Sequence, residues 1–178
     1  MRYSKKKSLG LIKKILVFLI LSLLGFIGPS VIPDNNRNNS IENISYVSLE
    51  DIPEYTEKPY VYINNNVPFF NEADLTTTSY EEYGKLDSLG RCGAAIACIG
   101  KDIMPTEERG AIGSVKPTGW HTVRYQGIDG NYLYNRCHLI GYQLTGENAN
   151  EKNLITCTRQ MNVEGMLPFE NEIAEYVK

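Results

Sequence analysis

The chain has 178 residues, with 18 Lys or Arg against 21 Asp or Glu, a net charge of −3 at neutral pH. Beyond a basic, apolar amino-terminal segment, this length leaves room for one globular domain with a single core. The first 32 residues hold six basic and no acidic residues, so the rest carries 12 basic against 21 acidic residues, a net charge of −9. This acidity excludes nucleic-acid binding through overall charge, because such binding depends on basic side chains that displace counterions.

The positive charge is concentrated in one part of the sequence. Residues 91–159 carry eight Lys or Arg against six Asp or Glu, a balance of +2. Residues 34–90 carry −8, and residues 160–178 carry −3. A nucleic-acid-binding function therefore requires a local basic surface within residues 91–159.

The amino-terminal segment has the layout of an export signal, because six basic residues precede an uncharged run from Ile15 to Gly28. Fourteen uncharged residues are short for a membrane span, whereas counting on to Ile32 gives eighteen. Residues 1–32 therefore fit either a cleaved signal peptide or a retained membrane anchor, and both place the remaining chain outside the cell. Residues 33–54 are predicted to be a flexible linker and residues 55–178 one folded domain.

The first half of the domain is predicted to be rich in β-structure. Residues 60–63 and 67–70 are β-prone and flank three asparagines, which predicts a hairpin. Residues 78–88 show a weak helical pattern, and the apolar run 94–99 predicts a buried strand. Residues 104–120 contain too much Gly and Pro for a long regular element, so we expect a long loop of the kind that often carries function.

The second half is predicted to combine a hairpin, a short strand and a helix. Residues 121–125 and 131–134 enclose an Asp-Gly turn, which predicts a hairpin whose second strand leads directly to His138. Residues 154–158 predict a short strand, and residues 168–177 a helix with Pro168 in its first turn. This order of elements predicts the α+β class.

Arg136 and His138 form the first candidate for catalysis. On an alternating strand their side chains lie on the same face. A neutral imidazole can take a proton from water while a guanidinium holds a phosphate, and a nearby Arg lowers the pKa of the imidazole. Taken alone, such a pair more often reflects a strand-end histidine satisfied by a local hydrogen bond.

Polar residues downstream of His138 complete a pattern that resembles a known family. Asn153 and Asn162 are nine residues apart, and Glu170 follows eight residues after Asn162. The family signature is Asp-Arg-Gly-His, and the matching residues are Asn135, Arg136, Cys137 and His138. With this spacing, residues 55–178 resemble the DNA/RNA non-specific endonucleases, the ββα-metal nucleases, and among these the secreted streptococcal-type DNases. Asn135 and Cys137 depart from the signature without removing the base.

The resemblance implies a fold and a set of roles. The fold would be an antiparallel sheet with a hairpin leading to the catalytic histidine and a helix after it. His138 would be the general base and Asn162 the protein ligand to one Mg2+ or Mn2+ ion. Asn153 would orient His138 or the metal site, and Glu170 would accept hydrogen bonds from metal-bound water. Arg136 would steady the phosphate.

Three further basic residues are candidates for contacts to the substrate backbone: Arg109, Lys116 and Arg159. The expected substrate is DNA, with RNA as an alternative. A membrane would be a further partner if the amino-terminal segment is retained.

The family pattern continues beyond the helix with further strands, whereas this sequence stops at Lys178. We therefore expect the carboxy-terminal strands of the fold to be missing. The main functional hypothesis is an exported endonuclease. The alternative is a truncated, inactive nuclease fragment or a surface protein that binds DNA without cutting it.

Four cysteines in an exported chain allow one or two disulfides, and three pairings are open. A structural zinc site is a weaker alternative, and its candidate ligands are Cys92, Cys98, Cys137 and His138.

Overall fold

The computed structural model of the protein describes residues 47–178. The predicted signal or anchor, residues 1–32, and most of the predicted linker lie outside these residues. Residues 47–178 form a mixed α+β structure with two small antiparallel sheets and a carboxy-terminal helix, in agreement with the predicted class. None of the helices in this range has the length and apolar character needed to cross a membrane.

The first sheet pairs β1 (Tyr80–Tyr83) with β2 (Ala95–Cys98), so that Tyr80 lies opposite Cys98 and Tyr83 opposite Ala95. The strand predicted from the apolar run 94–99 is confirmed. The weak helix predicted over residues 78–88 is wrong, because this segment pairs with β2 and Tyr83 packs against the core. The local pattern carried no information about that distant partner.

The second sheet pairs β3 (Tyr134–His138) with β4 (Leu154–Thr158), so that His138 lies opposite Leu154. The predicted hairpin of residues 121–134 is confirmed next to its turn, where Arg124 and Tyr132 form an antiparallel bridge flanked by backbone hydrogen bonds from Tyr125 N to Asn131 O and from Leu133 N to Val123 O. The residues that follow, Tyr134–His138, pair with β4, a pairing that was not predicted. The Asp-Gly turn itself forms, with Gly130 at a positive φ of 68°.

A disulfide between Cys137 and Cys157 joins β3 to β4, with the two Cα atoms 6.0 Å apart. This distance lies within the usual range for disulfides. Because the sulfur of Cys137 is used in this bond, the zinc ligand set considered from the sequence does not form. Cys92 and Cys98 are free thiols.

The hairpin predicted over residues 60–70 is also wrong, since neither flank forms a strand. The three asparagines do make the expected turn, in which Asn64, Asn65 and Asn66 all have positive φ. Asparagine adopts this conformation more readily than most residues. The flanks lack a sheet partner within residues 47–178, and Tyr62 and Val67 are both largely exposed.

The core lies where two helices meet the strands. Ile140, Leu144 and Ala174 form its buried centre. Leu144 belongs to the short helix α1 (Tyr142–Thr145) and Ala174 to α2 (Leu167–Val177), which confirms the predicted helix with Pro168 in its first turn. This packing brings α2 alongside the segment that follows His138.

Candidate active site

A cavity of about 410 Å3 lies between the end of β3, the loop before it and the start of α2. Six of the eight predicted site residues line it. They are Arg109, Arg136, His138, Arg159, Asn162 and Glu170. Asn153 and Lys116 do not line it. The tertiary structure thus brings together side chains that are 61 positions apart in the sequence, from Arg109 to Glu170.

His138 is held in a defined tautomer at the end of β3. Its side chain is buried, and Nε2 lies 2.7 Å from the carbonyl oxygen of Asn148. A carbonyl only accepts hydrogen bonds, so Nε2 carries the proton and Nδ1 keeps the lone pair. Burial lowers the pKa of His138, the bond to Asn148 opposes this shift, and the charge of Arg109 adds to it. The expected cationic neighbour was Arg136, but Arg109 has this role. His138 is therefore neutral at pH 7 and able to accept a proton.

Asn153 fixes the backbone that follows His138. Its side chain is fully buried, and it accepts a hydrogen bond from Ile140 N at 2.8 Å and donates one to Ile140 O at 3.0 Å. Its own carbonyl oxygen accepts from Leu139 N at 2.8 Å. These bonds satisfy buried backbone groups that would otherwise be costly to leave unpaired. Asn153 therefore acts on the site through the backbone of residues 139–140.

Arg136 joins the site to the long loop before it. Its Nε donates to the carbonyl oxygen of Val115 at 2.6 Å, and Nη2 donates to that of Gly113 at 3.3 Å. The guanidinium also lies 3.8 Å from the ring centroid of Trp120, a cation–π contact. These contacts use two of its five N–H donors, so Arg136 both anchors the loop and lines the cavity.

The cavity is locally positive although the chain is acidic. Three arginines and one carboxylate line it, which gives +2 with a neutral histidine. Arg159 is held by an ion pair with Asp129, with Nε 2.7 Å from Oδ2, whereas Arg109 is exposed. Lys116 is exposed on the loop. The confined positive charge is suited to binding a phosphodiester.

Glu170 reaches the cavity from α2 and lies against Gly141. Burial raises the pKa of its carboxyl, while Gln143 and Arg109 lower it. A Cβ at position 141 would lie 2.5 Å from Glu170 Oε2, so the glycine makes room for the carboxylate. Gly141 was not among the predicted site residues. A glycine three residues after the candidate base was the available sequence signal.

Asn162 lies in the π-helical turn Met161–Met166, where its carbonyl oxygen accepts from Leu167 N. Such turns often occur at functional sites. Its side chain lines the cavity and makes no hydrogen bond within residues 47–178. An amide oxygen and a carboxylate suit a hard divalent cation that keeps most of its water. Among residues 47–178, no group of three or more His, Cys, Asp or Glu side chains is arranged to hold a metal ion.

Comparison with known proteins gives one family match. The family model described as DNA/RNA non-specific endonuclease matches residues 72–178. No curated protein matches the chain significantly.

Two crystal structures of NucA from Streptococcus agalactiae have a similar fold. The magnesium-bound form is 24% identical with a TM-score of 0.55, and the match covers 80% of this chain and 66% of that one. The metal-free form is 23% identical with a TM-score of 0.56, covering 84% and 72%. The chain thus spans about two thirds of the length of the magnesium-bound structure. At these identities the likeness concerns the fold.

Proposed function

Because the chain belongs to the DNA/RNA non-specific endonuclease family, we propose that it is a metal-dependent endonuclease that hydrolyses phosphodiester bonds of DNA, with RNA as a second substrate. The observation that carries this proposal is His138. Its buried, neutral imidazole has Nε2 bound to a carbonyl and lines an arginine-rich cavity. These are the properties of a general base next to a phosphate site.

In the proposed reaction, Nδ1 of His138 takes a proton from water as the water oxygen bonds to phosphorus. The bond from phosphorus to the leaving 3′-oxygen breaks, and solvent supplies that oxygen with a proton. Protonated His138 then returns its proton to solvent. Arg109, Arg136 and Arg159 hold the phosphate oxygens and offset the charge that develops on them.

Asn162 and Glu170 would hold the divalent cation, Mg2+ or Mn2+. The oxygen of the Asn162 amide would bind it directly, and the Glu170 carboxylate would hold its water molecules. When bound, the cation supplies positive charge beside the scissile phosphate and the leaving oxygen. The magnesium ion in one NucA crystal structure supports this choice of metal.

The remaining predicted residues have supporting roles in the proposal. Asn153 is a positioning residue that fixes the backbone after His138. Lys116 is a candidate for contacts to the substrate backbone away from the cavity, because it is exposed on the adjoining loop.

We also propose that the protein is exported. The basic and apolar residues 1–32 support this, whether they are removed as a signal peptide or kept as an anchor. The disulfide between Cys137 and Cys157 supports it independently, since such bonds persist in oxidising environments.

A nuclease assay with the full chain tests the catalytic proposal. Mg2+ should support degradation of plasmid and single-stranded DNA, and a chelator should stop it. His138→Ala should lower kcat by roughly 100-fold or more. His121→Ala is the control for loss of a histidine outside the catalytic cavity, and it should lower kcat far less than His138→Ala does. If His138→Ala cuts DNA as fast as the unaltered protein, the assignment of the base is wrong.

A further inference from the structure

A second cavity of about 520 Å3 adjoins the catalytic one, and we call it the aromatic cleft. The two cavities share four lining residues, namely Arg109, Arg136, Arg159 and Asn162. The cleft is also lined by three aromatic side chains, those of Trp120, Tyr132 and Tyr134. A chain bound across the shared wall would therefore pass from the reacting centre into the cleft.

The chemistry of the cleft differs from that of the catalytic cavity. Three arginines line it, and none of its lining residues in the described part of the chain is acidic. Arginines bind phosphate, while aromatic rings bind the faces and edges of nucleobases. Its volume falls within the range of roughly 300 to 1,000 Å3 that is usual for small-ligand sites. Together these features fit one nucleotide unit.

The aromatic residues of the cleft are held in place by their neighbours. Arg136 packs on Trp120 at 3.8 Å from the ring centroid, and Arg124 packs on Tyr132 at 4.8 Å. The ring of His121 meets that of Tyr134 edge-on at 4.7 Å. Side chains already fixed in this way lose little conformational freedom when a ligand binds, which favours affinity.

We propose that the aromatic cleft binds an unpaired nucleotide next to the scissile phosphate, with its base against Trp120 and Tyr132. Arg109 and Arg159 of the shared wall contact the scissile phosphate, to which this nucleotide is joined. The base must be unpaired because, inside a duplex, stacking and pairing cover the faces and edges that the rings would contact. The inference rests on the proposed nuclease function. It adds a preference for single-stranded nucleic acid over duplex.

Trp120 offers a direct measurement, because it is the only tryptophan of the sequence. The experiment uses the full-length His138→Ala variant with a chelator, so that no cleavage occurs. Three ligands with equal numbers of phosphates are compared: a short oligothymidylate, an abasic sugar-phosphate oligomer and a hairpin duplex. The oligothymidylate should quench Trp120 fluorescence saturably and bind roughly tenfold more tightly than the other two.

Tyr132→Leu, placed in the same background, should weaken oligothymidylate binding by roughly tenfold. Its matched control is Tyr125→Leu, since Tyr125 is an exposed tyrosine of the neighbouring loop that does not line the cleft. Circular dichroism checks that both variants are folded. Equal affinity for the abasic and thymidylate oligomers, or unchanged binding by Tyr132→Leu, overturns the proposal.

The two proposals fail in different ways. If binding depends on the base but the unaltered protein does not cut DNA, the aromatic cleft is supported and the proposed nuclease function is wrong. If the unaltered protein cuts DNA but binding does not depend on the base, the nuclease function is supported and the role proposed for the aromatic cleft is wrong.

Discussion

Gly141→Ala is expected to displace the Glu170 carboxylate from the cavity without straining the backbone. Gly141 has φ −58° and ψ 142°, a conformation open to alanine. The new Cβ would lie 2.5 Å from Glu170 Oε2 and 2.6 Å from Cδ, whereas ordinary contact begins at 3.4 Å. The carboxyl group must therefore move by roughly 0.9 Å or more. The end of this flexible side chain can rotate away, so the free energy of unfolding should change by less than about 1 kcal/mol.

The effect on catalysis should be larger than the effect on stability. A carboxylate that holds metal-bound water typically contributes roughly 10- to 100-fold to activity, so kcat/KM on single-stranded DNA should fall by that factor. Glu170→Ala should cause a similar fall. The double variant should be no slower than Glu170→Ala, because alanine at position 170 removes the clash. This corresponds to a coupling free energy of about 1.4 to 2.7 kcal/mol.

Gly113→Ala is the matched control. No atom lies within 4 Å of the position that its Cβ would take, so its rate should equal that of the unaltered protein. The reasoning is refuted if Gly141→Ala cuts at the original rate, or if the losses from the two single changes multiply in the double variant.

Three further measurements test the site and its support. Because burial lowers the pKa of His138 below 6.5, kcat/KM should fall only under acidic conditions, and an acid midpoint above 6.5 would contradict the assignment. The unfolded chain then binds more protons than the folded one, so this histidine also makes the free energy of unfolding fall as the pH drops through 6.5. Asn153→Asp replaces the amide donor that bonds the Ile140 carbonyl oxygen with a second acceptor. It should lower the free energy of unfolding by about 3 kcal/mol at pH 7. Burial raises the pKa of the new carboxyl, so the stability relative to the unaltered protein should recover toward about pH 4, where the protonated group can donate to the carbonyl. A loss of stability that does not change with pH in urea denaturation would argue against this account. Replacing Cys137 and Cys157 by alanine should lower the free energy of unfolding by about 3 kcal/mol, and an unchanged urea midpoint would show that the disulfide adds no stability.

Much of the candidate site could be predicted because its residues lie on short, locally defined elements. The alternation of β3 predicted that Arg136 and His138 share a face, and both line the cavity. The helix after Pro168 was visible in its apolar spacing, and it carries Glu170 to the cavity. Local geometry therefore predicted the directions in which these side chains point, but not the distances between them.

The errors concern pairings between distant segments. Residues 78–88 have a weak helical pattern, yet Tyr80–Tyr83 is a strand because β2 offers a partner. Residues 121–125 do pair beside their turn, whereas the pairing of β3 with β4 was not predicted. Strand formation depends on backbone hydrogen bonds to another segment, which local propensity does not specify.

By itself, the sequence determined which histidine is the candidate base, the spacing of Asn162 and Glu170 behind it, and the location of positive charge within an acidic chain. Only the tertiary structure decided which nitrogen of His138 is free, since this depends on a carbonyl ten positions away. It also showed that the Asn153 side chain bonds the backbone of Ile140 and that Gly141 leaves space for the Glu170 carboxylate. The physical reason is that residue type and spacing are local properties, whereas burial, tautomer and contact distance arise only when separate segments pack together.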